Sequence, residues 1–154
     1  LAPAWLLLLG VASAGLLWLT GGRGWHPAGH LSWVWLALAA LLALSIGLGA
    51  LVASATASLR TALSATGLIT APAFAFSGVG FPLQSMPAGA RAWAEALPYT
   101  HYIRLQMEQL QMGAPVSLSA PTLAVFGLAT AALLAACVWP LMGASRYPHR
   151  WGGR

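Results

Sequence analysis

The hydrophobic positions of this chain fall into long unbroken runs. They do not show the strict alternation of a half-buried strand or the three-to-four spacing of a soluble amphipathic helix. Four runs, at about 4–20, 31–54, 62–81 and 121–143, contain no charged residue. A bilayer core about 30 Å thick is crossed by about 20 apolar residues in helical form. The pattern therefore predicts an all-α integral membrane protein with four transmembrane helices, drawn from one transmembrane domain.

The links between the runs carry the polar signals. Residues 21–30 are Gly-rich and end in HPAGH, a composition suited to a turn at headgroup level. Residues 55–61 form a short small-residue link bearing Arg60. Gly47, Gly49 and Ala53 in the second run permit close helix contact, while Gly67 and Pro72 interrupt the third, where Pro72 removes a backbone donor.

Residues 82–119 break the pattern. They hold Pro82, Pro87, Pro98 and Pro115, both acids of the chain (Glu95 and Glu108), and Arg91 and Arg104. Two short amphipathic helices are predicted, at about 88–97 and 100–112, re-entrant or interfacial and external, before the last span. In the first, Arg91 and Glu95 stand one turn apart. In the second, Ile103, Met107 and Leu110 make an apolar face, Arg104, Glu108 and Gln111 a polar one, and Gly113 closes the helix.

Composition narrows the class further. The chain of 154 residues is 59% hydrophobic and 6% charged, with mean hydropathy +0.77, whereas soluble domains carry about a quarter charged residues. Membrane lipids are the expected surroundings. The net charge of +5 comes from scattered single arginines, without the basic stripe and interleaved aromatics that bind nucleic acid, so no nucleic-acid partner is expected. Cys137, the one cysteine, lies in an apolar run and reads as a small hydrophobe. Trp18, Trp25, Trp33 and Trp35 cluster near one boundary and Trp5, Trp139 and Trp151 near the other, as in an aromatic belt.

With four crossings, Arg60 falls on the same side as the tail 145–154, which carries Arg146, Arg150 and Arg154 and also His149. Arg23, Arg91 and Arg104 fall opposite. The arginine density of the tail places the C-terminus in the cytoplasm and the protein, multi-pass, in the cell (inner) membrane. The chain opens Leu-Ala-Pro without Met, and no basic region precedes its first apolar run. A signal peptide needs such a region, so residue 1 reads as internal to a longer protein.

Candidate chemistry is sparse. His26 and His30 are four apart, but Pro27 and Gly29 between them indicate a loop rather than a ligand-bearing helix. His101 stands among Tyr99, Thr100 and Tyr102 with no acid or thiol at dyad spacing. Inside the runs the polar groups are hydroxyls such as Ser64, Thr66 and Ser77, so no catalytic residue and no metal site are assigned. Ion-coupled carriers keep ionisable groups in the bilayer, which means that a transport role here draws its energy from another subunit. No phosphate-binding loop of the type Gly-x-x-x-x-Gly-Lys is present. Three classes fit: a transport subunit, a non-transporting membrane scaffold or assembly protein, and an intramembrane haem or metal-binding protein using His26, His30 and His101.

The stretch FSGVGFPLQSMPAGARAWAEALPYTHYIRLQMEQLQMGAP separates these classes. It resembles the signature near the C-terminus of type-2 ABC exporter permeases, in which a span ends in Ser-Gly and Phe-Pro. Met-Pro, a short helix, Pro-x-Thr, a second short helix ending in Gly and a last span then follow. Here these are Ser77 and Gly78, Phe81 and Pro82, Met86 and Pro87, Pro98 and Thr100, and Gly113. LGALVASATASLRTA is similar to the family's glycine-bearing span and small-residue cytoplasmic turn, so the resemblance covers about residues 31–143. Met107 stands where the family commonly has Arg, with Arg104 three residues earlier. The resemblance implies the C-terminal portion of a permease subunit of an ATP-driven export system, forming half of a translocation path. It implies an ATP-binding cassette subunit that holds ATP, a second permease subunit as partner, and Phe74 and Phe76 as path-lining residues.

Overall fold

A computed structural model of the chain describes residues 2–146. Residues 147–154 of the expected cytoplasmic tail, including His149, Arg150, Trp151 and Arg154, lie outside the described residues, as does residue 1. The elements are α1 (Ala2–Leu17), continued by a π-helical turn (Trp18–Gly22), α2 (Leu31–Thr56), α3 (Leu59–Ala75), a 3-10 turn (Leu83–Ser85), α4 (Ala88–Ala96), α5 (Pro98–Met107), continued by a second π-helical turn (Glu108–Met112), and α6 (Val116–Arg146). Among the described residues every regular element is helical.

Three of these helices are long and apolar enough to cross a membrane: Ala2–Gly22, Leu31–Thr56 and Val116–Val138. The run expected as a span over 62–81 behaves differently. Its helix begins earlier, at Leu59, where Ser58 Oγ accepts from the Thr61 N–H, and stops at Ala75. At about 1.5 Å per residue its 17 residues reach about 26 Å, short of the hydrocarbon thickness. The cause is local. Pro72 takes one donor from the last turns, and Gly78 at φ +92 adopts a conformation that a helix cannot continue. The last span starts five residues before its expected position, at Val116, and the two short helices start at Ala88 and Pro98.

α2 is the hub, contacting α1, α3, α5 and α6, with α6 the most extensive partner. Val34, Ala37, Leu41, Leu44, Gly47 and Ala50 are buried along it at three- and four-residue steps, a continuous stripe. Gly47 permits close approach to α6, since a Cβ there would sit 3.0 Å from Leu133 Cδ2. In the same place the Cys137 thiol donates to Gly47 O at 3.3 Å, and one turn from the other end of the contact Thr130 Oγ1 donates to Ala40 O at 3.3 Å. Residues 40 and 47 thus meet 130 and 137 in increasing order, which fixes α2 and α6 as parallel neighbours.

α1 runs antiparallel to α2, tied by two indoles that the aromatic-belt reading had treated as interfacial. Trp5 Nε1 donates to Ala39 O at 2.9 Å and Trp35 Nε1 to Ser13 Oγ at 2.6 Å. Such bonds matter in an apolar surrounding because an indole N–H has no water to turn to. The start of α2, the start of α6 and the segment 76–115 come together at one end of the bundle. The link at Ala57 and Ser58, where Ala57 takes φ 49, lies at the other.

Candidate functional site: the helical cap over residues 76–115

The segment 76–115 is built as a folded cap across one end of the bundle. α3 is closed by the Ser77–Gly78 turn, in which the buried Ser77 Oγ donates to Phe74 O at 2.7 Å and accepts from the Val79 N–H at 3.4 Å. Pro82 opens the 3-10 turn, Met86 is buried beside it, and Pro87 precedes α4. Pro98 occupies the first position of α5, where its missing N–H is unneeded.

Arg91 locks this first half. Its guanidinium donates to Leu83 O at 3.1 Å, Gln84 O at 2.9 Å and Met86 O at 3.4 Å. It therefore gathers the carbonyls of the 3-10 turn rather than pairing with Glu95 one helical turn away. The joint between α4 and α5 is pinned by a 2.7 Å contact between His101 Nε2 and Glu95 O. Phe74 and Tyr99 pack with ring centroids 6.2 Å apart, and Tyr99 meets Tyr102 at 6.3 Å.

The second half hangs on Gln109, which is 0% exposed. Its Oε1 accepts from the His30 N–H at 3.1 Å, and its Nε2 donates to Ala114 O at 3.2 Å and Ser119 Oγ at 3.0 Å. Ser119 Oγ in turn donates to Glu108 Oε2 at 2.7 Å. The backbone joins in, with Gly29 N–H on Gln109 O at 2.7 Å and Ala28 N–H on Leu110 O at 3.2 Å. A Cβ at residue 29 would lie 2.7 Å from Gln109 O, so Gly29 is required by the approach of the two backbones. Gly113 closes the cap at φ +61, the left-handed end expected of it, with Ala28 O 3.0 Å from where its Cβ would be.

This arrangement corrects the expected faces of the second short helix. Tyr102, Leu105, Gln109 and Leu110 are buried, whereas Met107 is exposed. Tyr102, Leu105 and Gln109 recur at three- and four-residue steps, so the inward face lies to one side of Met107, and the Gln109 amide turns inward because three partners wait there. His26 and His30 are exposed in the loop before α2, as their Pro and Gly neighbours implied. Among the described residues no group of three His, Cys, Asp or Glu side chains is placed to hold a metal.

The motif residues divide three ways. Ser77, Gly78, Pro82 and Thr100 line one groove of about 620 Å³ on the cap. Met86 is buried, Pro87 and Gly113 set backbone turns, and Phe81 projects outward at 67% exposure. Phe74 and Pro98 line a separate apolar cavity of about 360 Å³ between α2 and α3, with Phe76 half-buried nearby in sequence. Arg91 stood out in the sequence only as a neighbour of Glu95 one turn away, and Gln109 did not stand out at all. A lone Gln in a polar segment carries no signal of burial until its partners at His30 and Ser119 are known.

A family model described as ABC-2 type transporter matches residues 2–110, including the first apolar helix. No curated protein matches the chain, and no solved structure does.

Two outcomes follow from the cap. Gln109→Ala removes the bonds to the His30 N–H, Ala114 O and Ser119 Oγ and opens a cavity at a fully buried position, which costs about 2–3 kcal/mol. Thermal unfolding in detergent should show a clear loss, and an unchanged midpoint would mean that the amide holds nothing. For Tyr102, burial first and the neighbouring Tyr99 second push the phenol up from 10.0 to about 12. Between those values the unfolded chain ionises while the folded cap keeps its proton, so stability falls as pH rises from about 10 to about 12. Tyr102→Phe should flatten that alkaline loss when thermal midpoints are compared across this pH range.

Proposed function

The chain belongs to the ABC-2 type transporter family, and from that membership we propose that it is a permease subunit of an ATP-driven export system, supplying half of a translocation path. Permeases of this family are transmembrane components and are not themselves catalytic. Export is powered in this reading by an ATP-binding cassette subunit that holds the ATP, and a second permease, identical or not, completes the path.

The observation that carries the reading is the parallel pairing of α2 and α6. A chain that leaves α2 at Thr56 at one end of the bundle and enters α6 at Val116 at the other has to travel back between them. α4 and α5 have 9 and 10 residues, too short for the journey, which leaves α3 as the returning element. α3, extended by the apolar turn Phe76–Phe81, is then a fourth crossing. The count of crossings is even, and Arg60 and Arg146 share the end opposite the cap. By the positive-inside bias that end faces the cytoplasm and the cap faces outward.

Ion-coupled carriers keep ionisable residues in the bilayer and the four runs here hold no charged residue, which favours ATP-driven work by a partner. α3 keeps Leu63, Leu68, Ile69 and Phe74 exposed within this subunit, an apolar face for the second permease or for the path. Phe74 and Phe76 are its candidate lining residues. Ser77, Gly78, Phe81, Pro82, Met86, Pro87, Pro98, Thr100 and Gly113 shape the external closure over it.

The test is coexpression of the full-length protein with candidate ATP-binding cassette subunits, one subunit at a time. A stable complex is expected, with the ATPase rate of the cassette subunit changed several-fold on assembly. Purification of the permease alone, with every cassette ATPase unaffected by its addition, would remove the transport reading.

A further inference from the structure

The groove of about 620 Å³ on the cap has a chemistry that the permease role leaves unused. Arg91, Glu95, Arg104 and Glu108 all line it, two cations and two anions. Arg91 is spent on three carbonyls, and Glu108 is engaged by Ser119. The side chains of Glu95 and Arg104 have no hydrogen-bond or ion-pair partner among the described residues, although they border the same space. What remains available is one anion and one cation that do not neutralise each other.

A third group points the same way. Thr100 lines the groove while only 1% exposed, which puts it at the floor, and its Oγ1 is buried without any hydrogen-bond partner. Helical hydroxyls elsewhere in this chain satisfy themselves on the preceding turn: Thr20 on Leu16 O, Thr56 on Val52 O and Thr66 on Ala62 O. Leaving such a group unpaired costs about 1–3 kcal/mol, so an orphan beside an open groove marks a place for a polar atom from outside. Ile103, Met107, Met112 and Leu83 give the same groove an apolar wall.

We propose that this groove is a binding site for the headgroup of a zwitterionic amphiphile that joins a phosphate to a primary ammonium. Arg104 takes the phosphate, Glu95 takes the ammonium, Thr100 Oγ1 donates to a phosphate or ester oxygen at the floor, and the acyl chain lies along the methionine wall. A guanidinium suits phosphate, and a carboxylate suits an ammonium with N–H donors. The site rests on the cap lying at the membrane surface. It does not depend on which cassette subunit drives the permease, so its failure and the failure of the transport reading are separable.

Native mass spectrometry of the purified full-length permease, or of its complex, tests the site with an equimolar mixture of phosphatidylethanolamine and phosphatidylglycerol. The expected result is retention of phosphatidylethanolamine about three- to tenfold above phosphatidylglycerol, the discrimination available to partly exposed charges. Glu95→Gln should erase that preference, Arg104→Gln and Thr100→Val should lower retention of both lipids several-fold, and Arg60→Gln at the opposite end should change neither. Thermal midpoints equal to wild type for the three groove variants identify them as folded, and lipid exchange at the folded temperature reads the site independently of yield. Excess soluble glycerophosphoethanolamine separates the sources. Displacement assigns the groove to the free headgroup as well, and resistance assigns it to the intact lipid; either supports the site. Equal retention of the two lipids by wild type, a preference that survives Glu95→Gln, or retention unchanged by Arg104→Gln overturns it.

Discussion

One buried amide holds this protein's two kinds of structure together. Gln109 fastens the cap to the loop before α2 through His30, to its own closing turn through Ala114, and to the first turns of α6 through Ser119. Gln109 and Ser119 are fully buried, and an amide without partners there would carry the whole cost of its desolvation. The close backbone contact of Gly29 with Gln109, and of Gly113 with Ala28, follows from the same requirement. Without the clamp the short helices would be kept on α2 chiefly by Tyr102, Leu105 and Leu110 with Tyr99 and Ile103 beside them, a modest apolar patch. Satisfaction of polar groups, more than apolar burial, is what positions a segment between lipid and water.

Much of the fold was legible in the residues, because a bilayer imposes a simple rule on length and charge. The runs at 4–20, 31–54 and 121–143 became long helices, and the prolines at 82, 87 and 98 marked turns that the structure uses as turns. Gly113 closed its helix as its position suggested. The end of the third helix was not legible because hydropathy does not register where a helix stops. FSGVGF is as apolar as the residues before it, yet Gly78 takes a positive φ and the helix stops at Ala75.

The candidate site was legible only as a motif. Its order of prolines and glycines pointed to a family, and the match over residues 2–110 established membership. The side chains that organise the cap were silent for a physical reason. Arg91 looked like half of an i,i+4 pair, but three carbonyls of an irregular turn offer it more than one exposed carboxylate does. The inward face of α5 was misassigned because it is set by the polar partners of Gln109, and Tyr102, Leu105 and Gln109 share a face that an apolar count centred on Met107 does not find. Long-range partners, such as His30 to Gln109 across 79 positions, have no local signature at all.

The central claim is that α3, short as its helix is, carries the chain across the bilayer and leaves the cap on the far side from Arg60. Single-cysteine labelling in intact cells or sealed vesicles decides this directly, with Cys137 replaced by alanine and a thiol placed in turn at Ser58, Gly24 and Ser85. A membrane-impermeant maleimide added from outside should label Gly24→Cys and Ser85→Cys and reach Ser58→Cys only after the membrane is opened. Labelling of Ser58→Cys and Ser85→Cys from the same side would show that α3 does not cross, and would contradict the topology on which the external cap depends.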